Sequence, residues 1–203
     1  MPVRPERIIL VRHGRSAHAQ SGWLDADGLH AWRSAYDAAG LAPGQAPPPA
    51  LRALAAEFRC IVASDLARAV ESAALLAPGA EILQSPLLRE TPLPIPALGR
   101  LRLSFALWGL VVGFVWLRDM RRPDAGSHAE PRARAREAAR WLATLASRDG
   151  PVIAVTHGAF RRYVADALEA DGWRRAPVRR RWHLWSAWEL TSIREERAPH
   201  REE

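Results

Sequence analysis

A chain of 203 residues suits one compact domain, and at this length folding buries roughly 70% of the unfolded surface, so no metal or disulfide staple is required. One cysteine, Cys60, excludes a disulfide-framed secreted scaffold. No apolar stretch reaches the ~18 residues of a membrane span and no signal-peptide pattern is present, so a cytoplasmic setting with no membrane is expected. The net charge of +7 hints at nucleic acid, yet all 29 basic residues are Arg, and Lys and Asn are both absent. A genome rich in G and C produces that bias without any binding role, which weighs against nucleic acid as a partner and leaves an anionic substrate compatible.

Ile8-Ile9-Leu10-Val11 is a continuous apolar run, the pattern of a strand buried on both faces. A helix is expected over Asp27 to Ala39, ended by Gly40, then a loop from Leu41 to Ala50 carrying Pro43, Gly44 and Pro47-Pro48-Pro49. Leu51, Leu54, Ala55 and Phe58 have the spacing of a short amphipathic helix. Cys60-Ile61-Val62-Ala63 reads as a second buried strand, followed by a helix from about Leu66 to Leu76. Glu81-Ile82-Leu83 is a third strand candidate before the Pro-rich stretch Pro86 to Pro96.

Leu103 to Leu117 carries no charge and is expected to be helical. Leu103, Leu107, Leu110, Phe114 and Leu117 line one face, and Phe105, Trp108, Val112 and Val115 another. Such all-round apolarity predicts burial, either under a lid on the pocket or in a homodimer interface. Gly109 and Gly113 form a GxxxG, but the run is too short for a membrane dimerisation helix. A long helix to about Ser147 starts either at Ser127, in a capping box with Glu130, or at Glu130, which puts Pro131 at the first helical position.

Val152-Ile153-Ala154-Val155 is another buried strand, Phe160 to Glu169 a helix, and Leu184 to Leu190 a final strand. The alternation predicts an α/β fold, a three-layer α/β/α sandwich with a largely parallel central sheet. It forms a single domain over residues 1–193 with an apolar insert at about 97–124, and residues 194–203 are a charged, frayed tail.

Two strands end in a histidine followed by glycine: Arg12-His13-Gly14 after the first, and Thr156-His157-Gly158 after Val155. Ligands gather beyond the carboxyl ends of parallel strands, and glycine lets the backbone turn sharply and approach them. The strand at Ile61 runs into Ser64-Asp65-Leu66-Ala67-Arg68-Ala69, which puts Arg68 in the first turns of its helix. If these strands are neighbours, two histidines and two arginines share a pocket. That set suits a phosphoryl group. Guanidinium forks match its oxygens, and a neutral histidine attacks phosphorus and carries it covalently. The leaving oxygen then needs a proton from a carboxylic acid, for which Glu90 in Leu87-Leu88-Arg89-Glu90-Thr91 is the best-placed candidate.

Arg12-His13-Gly14, Ser64 to Ala69, Leu88-Arg89-Glu90 and Thr156-His157-Gly158 follow one another over residues 7 to about 170, and in that order they resemble the histidine phosphatase superfamily, also called phosphoglycerate mutase-like. The resemblance implies a phosphohistidine on His13, a phosphate pocket from Arg12, Arg68 and His157, and proton donation by Glu90. It implies a small phosphorylated substrate and neither metal nor cofactor. Gly14, Ser16, Ser64 and Gly158 are further candidate substrate contacts. Ala19 stands where many members carry Asn. Thr91-Pro92-Leu93-Pro94-Ile95-Pro96 replaces the polar, lysine-bearing stretch of mutases, which favours a phosphomonoesterase over a phosphomutase. A protein phosphohistidine phosphatase is the other enzymatic alternative. A non-catalytic, Arg-rich nucleic-acid-binding module is the alternative from a different class.

The remaining polar residues read more plainly. His18, His30, His128 and His183 lack metal-ligand spacing, and Cys60 in its apolar strand is expected to be inert. Arg174, Arg175, Arg179, Arg180 and Arg181 are interleaved with Trp173, Trp182, Trp185 and Trp188. A solvated loop entering a strand whose tryptophans pack inward is preferred there to a single-strand stacking platform.

Overall fold

A computed structural model describes residues 6–19, 22–120, 128–177 and 183–192. Its strands are β1 (Arg7–Arg12), β2 (Trp23–Leu24), β3 (Cys60–Ser64), β4 (Ile82–Ser85), β5 (Leu103–Ser104), β6 (Val152–Thr156), β7 (Trp173–Arg175) and β8 (Ala187–Ser192). Its helices are α1 (Ala26–Ala38), α2 (Pro49–Ala55), α3 (Ala67–Leu76), α4 (Phe105–Met120), α5 (Ala129–Asp149) and α6 (Phe160–Ala170).

Six strands form one sheet in the order β4-β3-β6-β1-β8-β7. The first four are parallel, and β8 and β7 are added antiparallel. Ile8, Leu10, Val62 and Ala154 face a core shared with α5 and α6, whereas Ile9, Val11, Ile61 and Val155 face one shared with α2 and α3. Successive strand residues point to opposite faces, so a strand apolar at every position needs a helical layer on each side. The result is the expected three-layer α/β/α arrangement around a largely parallel sheet. In register, Ile8 lies opposite Val152 and Arg12 opposite Thr156. His13 and His157, one residue further on, therefore leave the sheet side by side.

Several boundaries differ from expectation. The last strand starts at Ala187 rather than Leu184, because Trp185 adopts a φ of 59° and interrupts the extended chain. Helix α5 starts at Ala129, so Glu130 lies inside it and Pro131 is its third residue, tolerated because first-turn N–H groups have no helical partner. Ser127, Arg179, Arg180, Arg181, Trp182 and the tail at 194–203 lie outside the described residues. Trp173, Trp185 and Trp188 are buried, as expected.

The apolar segment is helical only after a two-residue strand. β5 pairs antiparallel with β2, and α4 follows. Phe105, Trp108 and Val112 pack with Leu29, Trp32, Ile95 and Leu98, and Trp108 Nε1 donates to the Leu24 carbonyl at 2.7 Å. Within one chain the burial is one-sided. Leu110, Phe114 and Leu117 are 60–70% exposed and Leu107 is 43% exposed, because within one chain only one side of α4 meets a partner. Among the described residues no helix is long and apolar enough to cross a membrane.

Candidate active site

His13, at the end of β1, is 2% exposed and makes two ring contacts that define its tautomer. Arg68 Nε donates to His13 Nε2 at 3.3 Å, and His13 Nδ1 lies 2.6 Å from the Gly14 carbonyl. A guanidinium can only donate, so Nε2 carries the lone pair and Nδ1 carries the proton. Arg68 Nη2 likewise donates to His157 Nδ1 at 3.2 Å, so His157 presents its Nε2 proton to Ser64 Oγ at 2.9 Å. The two rings meet edge-on with centroids 4.9 Å apart.

Both imidazoles are held neutral. Burial, then the Arg68 guanidinium, push the His13 pKa down to about 3, with Arg12 and Arg161 adding to the effect and the Gly14 hydrogen bond opposing it. Burial, His13 and Arg68 put His157 well below the ordinary histidine range.

Arg68, the second residue of α3, is fully buried and is pinned from α1. It donates to the Tyr36 carbonyl at 2.8 Å and to Asp37 Oδ1 at 3.0 Å, and it stacks on the Tyr36 ring at 4.3 Å. Arg33 holds the other Asp37 oxygen at 2.7 Å. Sequence reading missed Tyr36 and Asp37. The α1 pattern shows a helix, but nothing in it says which face meets a distant arginine.

The two glycines that follow the histidines lie close against neighbouring side chains. A Cβ at Gly14 would lie 2.7 Å from the Trp185 ring, and one at Gly158 would lie 3.1 Å from Arg12 Nε. Gly14 N–H donates to Ser72 Oγ at 3.0 Å, and the Ser72 hydroxyl donates to the Arg68 carbonyl at 2.6 Å. The loop bearing Trp185 is tied to β1, since Trp185 N donates to the Arg12 carbonyl and Arg12 N to the Ser186 carbonyl. Arg161 is fully buried, donates to that same Ser186 oxygen at 2.6 Å and lies 4.1 Å from the Trp188 ring. Burial and then Arg12 bring its pKa down to about 9, so it remains a cation at neutral pH. Ser72, Trp185 and Arg161 were also missed. In the Arg161-Arg162 pair no sequence signal says which arginine turns inward.

Glu90 follows a single 3-10 turn, Pro86–Leu88, and reaches the start of α6. Its carboxylate accepts from Phe160 N at 2.9 Å, Ala159 N at 3.3 Å and Thr91 N at 2.9 Å. Arg134 and Thr156 hold this loop by donating to the carbonyls of Arg89 and Leu88. Ser16 lines, with Arg12, Arg15, His18 and Tyr36, a polar cleft of about 540 Å³. Of the candidate contacts, Ser16 and Gly158 border Arg12, whereas the Gly14 N–H and the Ser64 hydroxyl are engaged inside the protein. His128 is a core residue between the Tyr163 hydroxyl and the Trp116 carbonyl. Among the described residues no cluster of three His, Cys, Asp or Glu side chains is placed to hold a metal ion.

Residues 8–197 match the model of the histidine phosphatase superfamily (branch 1). The chain belongs to this superfamily. As a histidine phosphatase it is a phosphomonoesterase or mutase that works on small phosphorylated substrates through a phosphohistidine intermediate. Solved structures agree in fold. A phosphoserine phosphatase from Entamoeba histolytica, in complex with 3-phosphoglyceric acid, is 18% identical, with 81% of this chain and 80% of that chain covered and a TM-score of 0.50. The product of an open reading frame from Mycobacterium tuberculosis is 17% identical, with 92% and 91% covered and a TM-score of 0.50. Among curated proteins no significant relative is found.

Proposed function

We propose that this histidine phosphatase is a phosphomonoesterase whose nucleophile is His13 Nε2, with Arg12, Arg68 and His157 holding the phosphoryl oxygens and Glu90 protonating the leaving oxygen. The observation that carries the reading is the buried Arg68 guanidinium, which touches the lone pair of His13 and the ring of His157 together. Nε2 attacks phosphorus, and the Nδ1–H to Gly14 carbonyl bond steadies the ring as it becomes cationic. The ester oxygen departs with the proton of Glu90. The Glu90 carboxylate then takes a proton from the water that attacks the phosphohistidine.

Water is the acceptor in this reading, because Thr91 to Pro96 offers no cation for a second phosphate. Equal release of alcohol and inorganic phosphate from small esters is the expected result. Faster phosphoryl transfer onto a second hydroxyl of a phosphorylated diol would make the enzyme a mutase. Strong preference for a phosphohistidine-bearing protein would make it a protein phosphatase.

Residues 1–193 are read as one domain acting in the cytoplasm, with no role for nucleic acid. Its apolar segment, Leu103 to Leu117, is read as a homodimer contact. Leu107, Leu110, Phe114 and Leu117 make one exposed apolar stripe along α4, which a second copy would cover. Light scattering is expected to give the mass of a dimer, and Leu110→Asp a monomer. A wild-type monomer at micromolar concentration rejects the contact.

A further inference from the structure

Two cavities flank Tyr36, and they differ in chemistry. One is the polar cleft around Arg12 and Arg15. The other is a chamber of about 250 Å³ walled by Leu29, Trp32, Leu93, Phe105, Trp108 and Val112. Glu90 lines the chamber and is absent from the walls of the cleft. Tyr36 lines both, so it is the shared wall between the chamber and the cleft that holds Arg12, and its ring carries the Arg68 guanidinium. Trp32 stacks on Tyr36 at 5.0 Å and meets Phe105 edge-on at 4.7 Å, which makes the wall a continuous aromatic surface.

We infer that this chamber receives the alcohol part of the substrate, so that the enzyme acts on phosphate esters of uncharged, apolar alcohols. The inference rests on the phosphatase reading above, because the acid that protonates a leaving oxygen marks where the leaving group lies. The carbon attached to that oxygen must sit beside Glu90, and the space beside Glu90 is apolar.

Among the described residues the wall carries one cation, Arg33, which binds Asp37, a carboxylate it shares with Arg68, and donates to the Thr91 carbonyl. The rest of the lining is mostly apolar, so a second anionic group on the substrate would enter at a desolvation cost. An apolar cavity of about 150 Å³ holds a benzene ring, so this chamber admits a ring with a short side chain or an alkyl chain of similar volume.

The test measures kcat/KM for ethyl, butyl, hexyl and octyl phosphate, with p-nitrophenyl phosphate, 3-phosphoglycerate and glucose 6-phosphate alongside. Each buried methylene is expected to raise kcat/KM about fourfold until the chamber is full, and the two polar esters to rank below butyl phosphate. Gly109 lines the chamber from α4, and a Cβ there meets nothing within 4 Å. Gly109→Leu therefore has room on the helix and, on the same side of α4 as Phe105 and Val112, narrows the chamber at its exposed edge, and its unfolding temperature should not fall. The hexyl-to-ethyl ratio should drop about tenfold or more in this variant.

Hydrolysis of p-nitrophenyl phosphate combined with a flat chain-length profile, a preference for the polar esters, or an unchanged ratio in Gly109→Leu overturns the inference alone. Absence of phosphate release from every ester overturns the phosphatase reading and the inference with it.

Discussion

His13→Ala is expected to lower hydrolysis of p-nitrophenyl phosphate by about 10⁴-fold or more, the scale seen when a covalent nucleophile is removed. The other imidazole of the site, His157, is fully buried and gives its Nε2 proton to Ser64 Oγ. Rapid acid quench of the wild type should trap an acid-labile phosphoenzyme that His13→Ala fails to form, and chelators should leave the wild-type rate unchanged.

The pH profile provides a second readout. An imidazole with the ordinary pKa of 6.5 loses about 25-fold of its neutral form between pH 7 and pH 5. His13, with its pKa near 3, stays neutral over that whole range. After correction for the ester's own ionisation, kcat/KM should therefore hold down to pH 5. Full activity in His13→Ala, or an acid limb centred near 6.5, would falsify the assignment.

Glu90→Gln should cripple hydrolysis of alkyl phosphates by about 10²- to 10⁴-fold while sparing p-nitrophenyl phosphate. An alkoxide is a poor leaving group and needs its proton in the transition state, whereas a nitrophenolate leaves unaided. Glutamine keeps one oxygen, which can accept from Phe160 N and Thr91 N as Glu90 Oε1 does, so the loop stays anchored to α6 while the acidic proton is gone. If both esters slow equally, Glu90 positions the pocket and the acid is another group.

The elements most legible in the sequence are those whose burial is symmetric. β1, β3 and β6 are apolar at successive positions because a helical layer covers each face, and that signal needs no knowledge of the partners. His13, Arg68 and His157 were legible for a related reason, since the ends of adjacent parallel strands must share one edge of the sheet. The supporting residues were not. Asp37, Tyr36, Ser72 and Arg161 lie on helices, where periodicity gives the apolar face and not which polar residue at its margin reaches the site. β2, β5 and β7 are two or three residues long, too short for any alternation to register. β8 starts later than the apolar run from Leu184 suggests because Trp185 takes a left-handed turn and packs over Gly14. Composition likewise showed that α4 is apolar and left open how much of it one chain can cover.

The bonding of Arg68 also bears on how a catalytic cycle ends. Its Nε, Nη1 and Nη2 donors already reach His13, the Tyr36 and Asp37 carbonyls, the Asp37 carboxylate and His157. If Arg68 holds the phosphoryl group as proposed above, phosphate would enter by exchange, displacing acceptors the protein supplies, and leave by the reverse exchange. A desolvated arginine with idle donors would grip inorganic phosphate and make its departure slow. With an acceptor for each donor to return to, the resting pocket would compete with its own product and ease the last step of turnover.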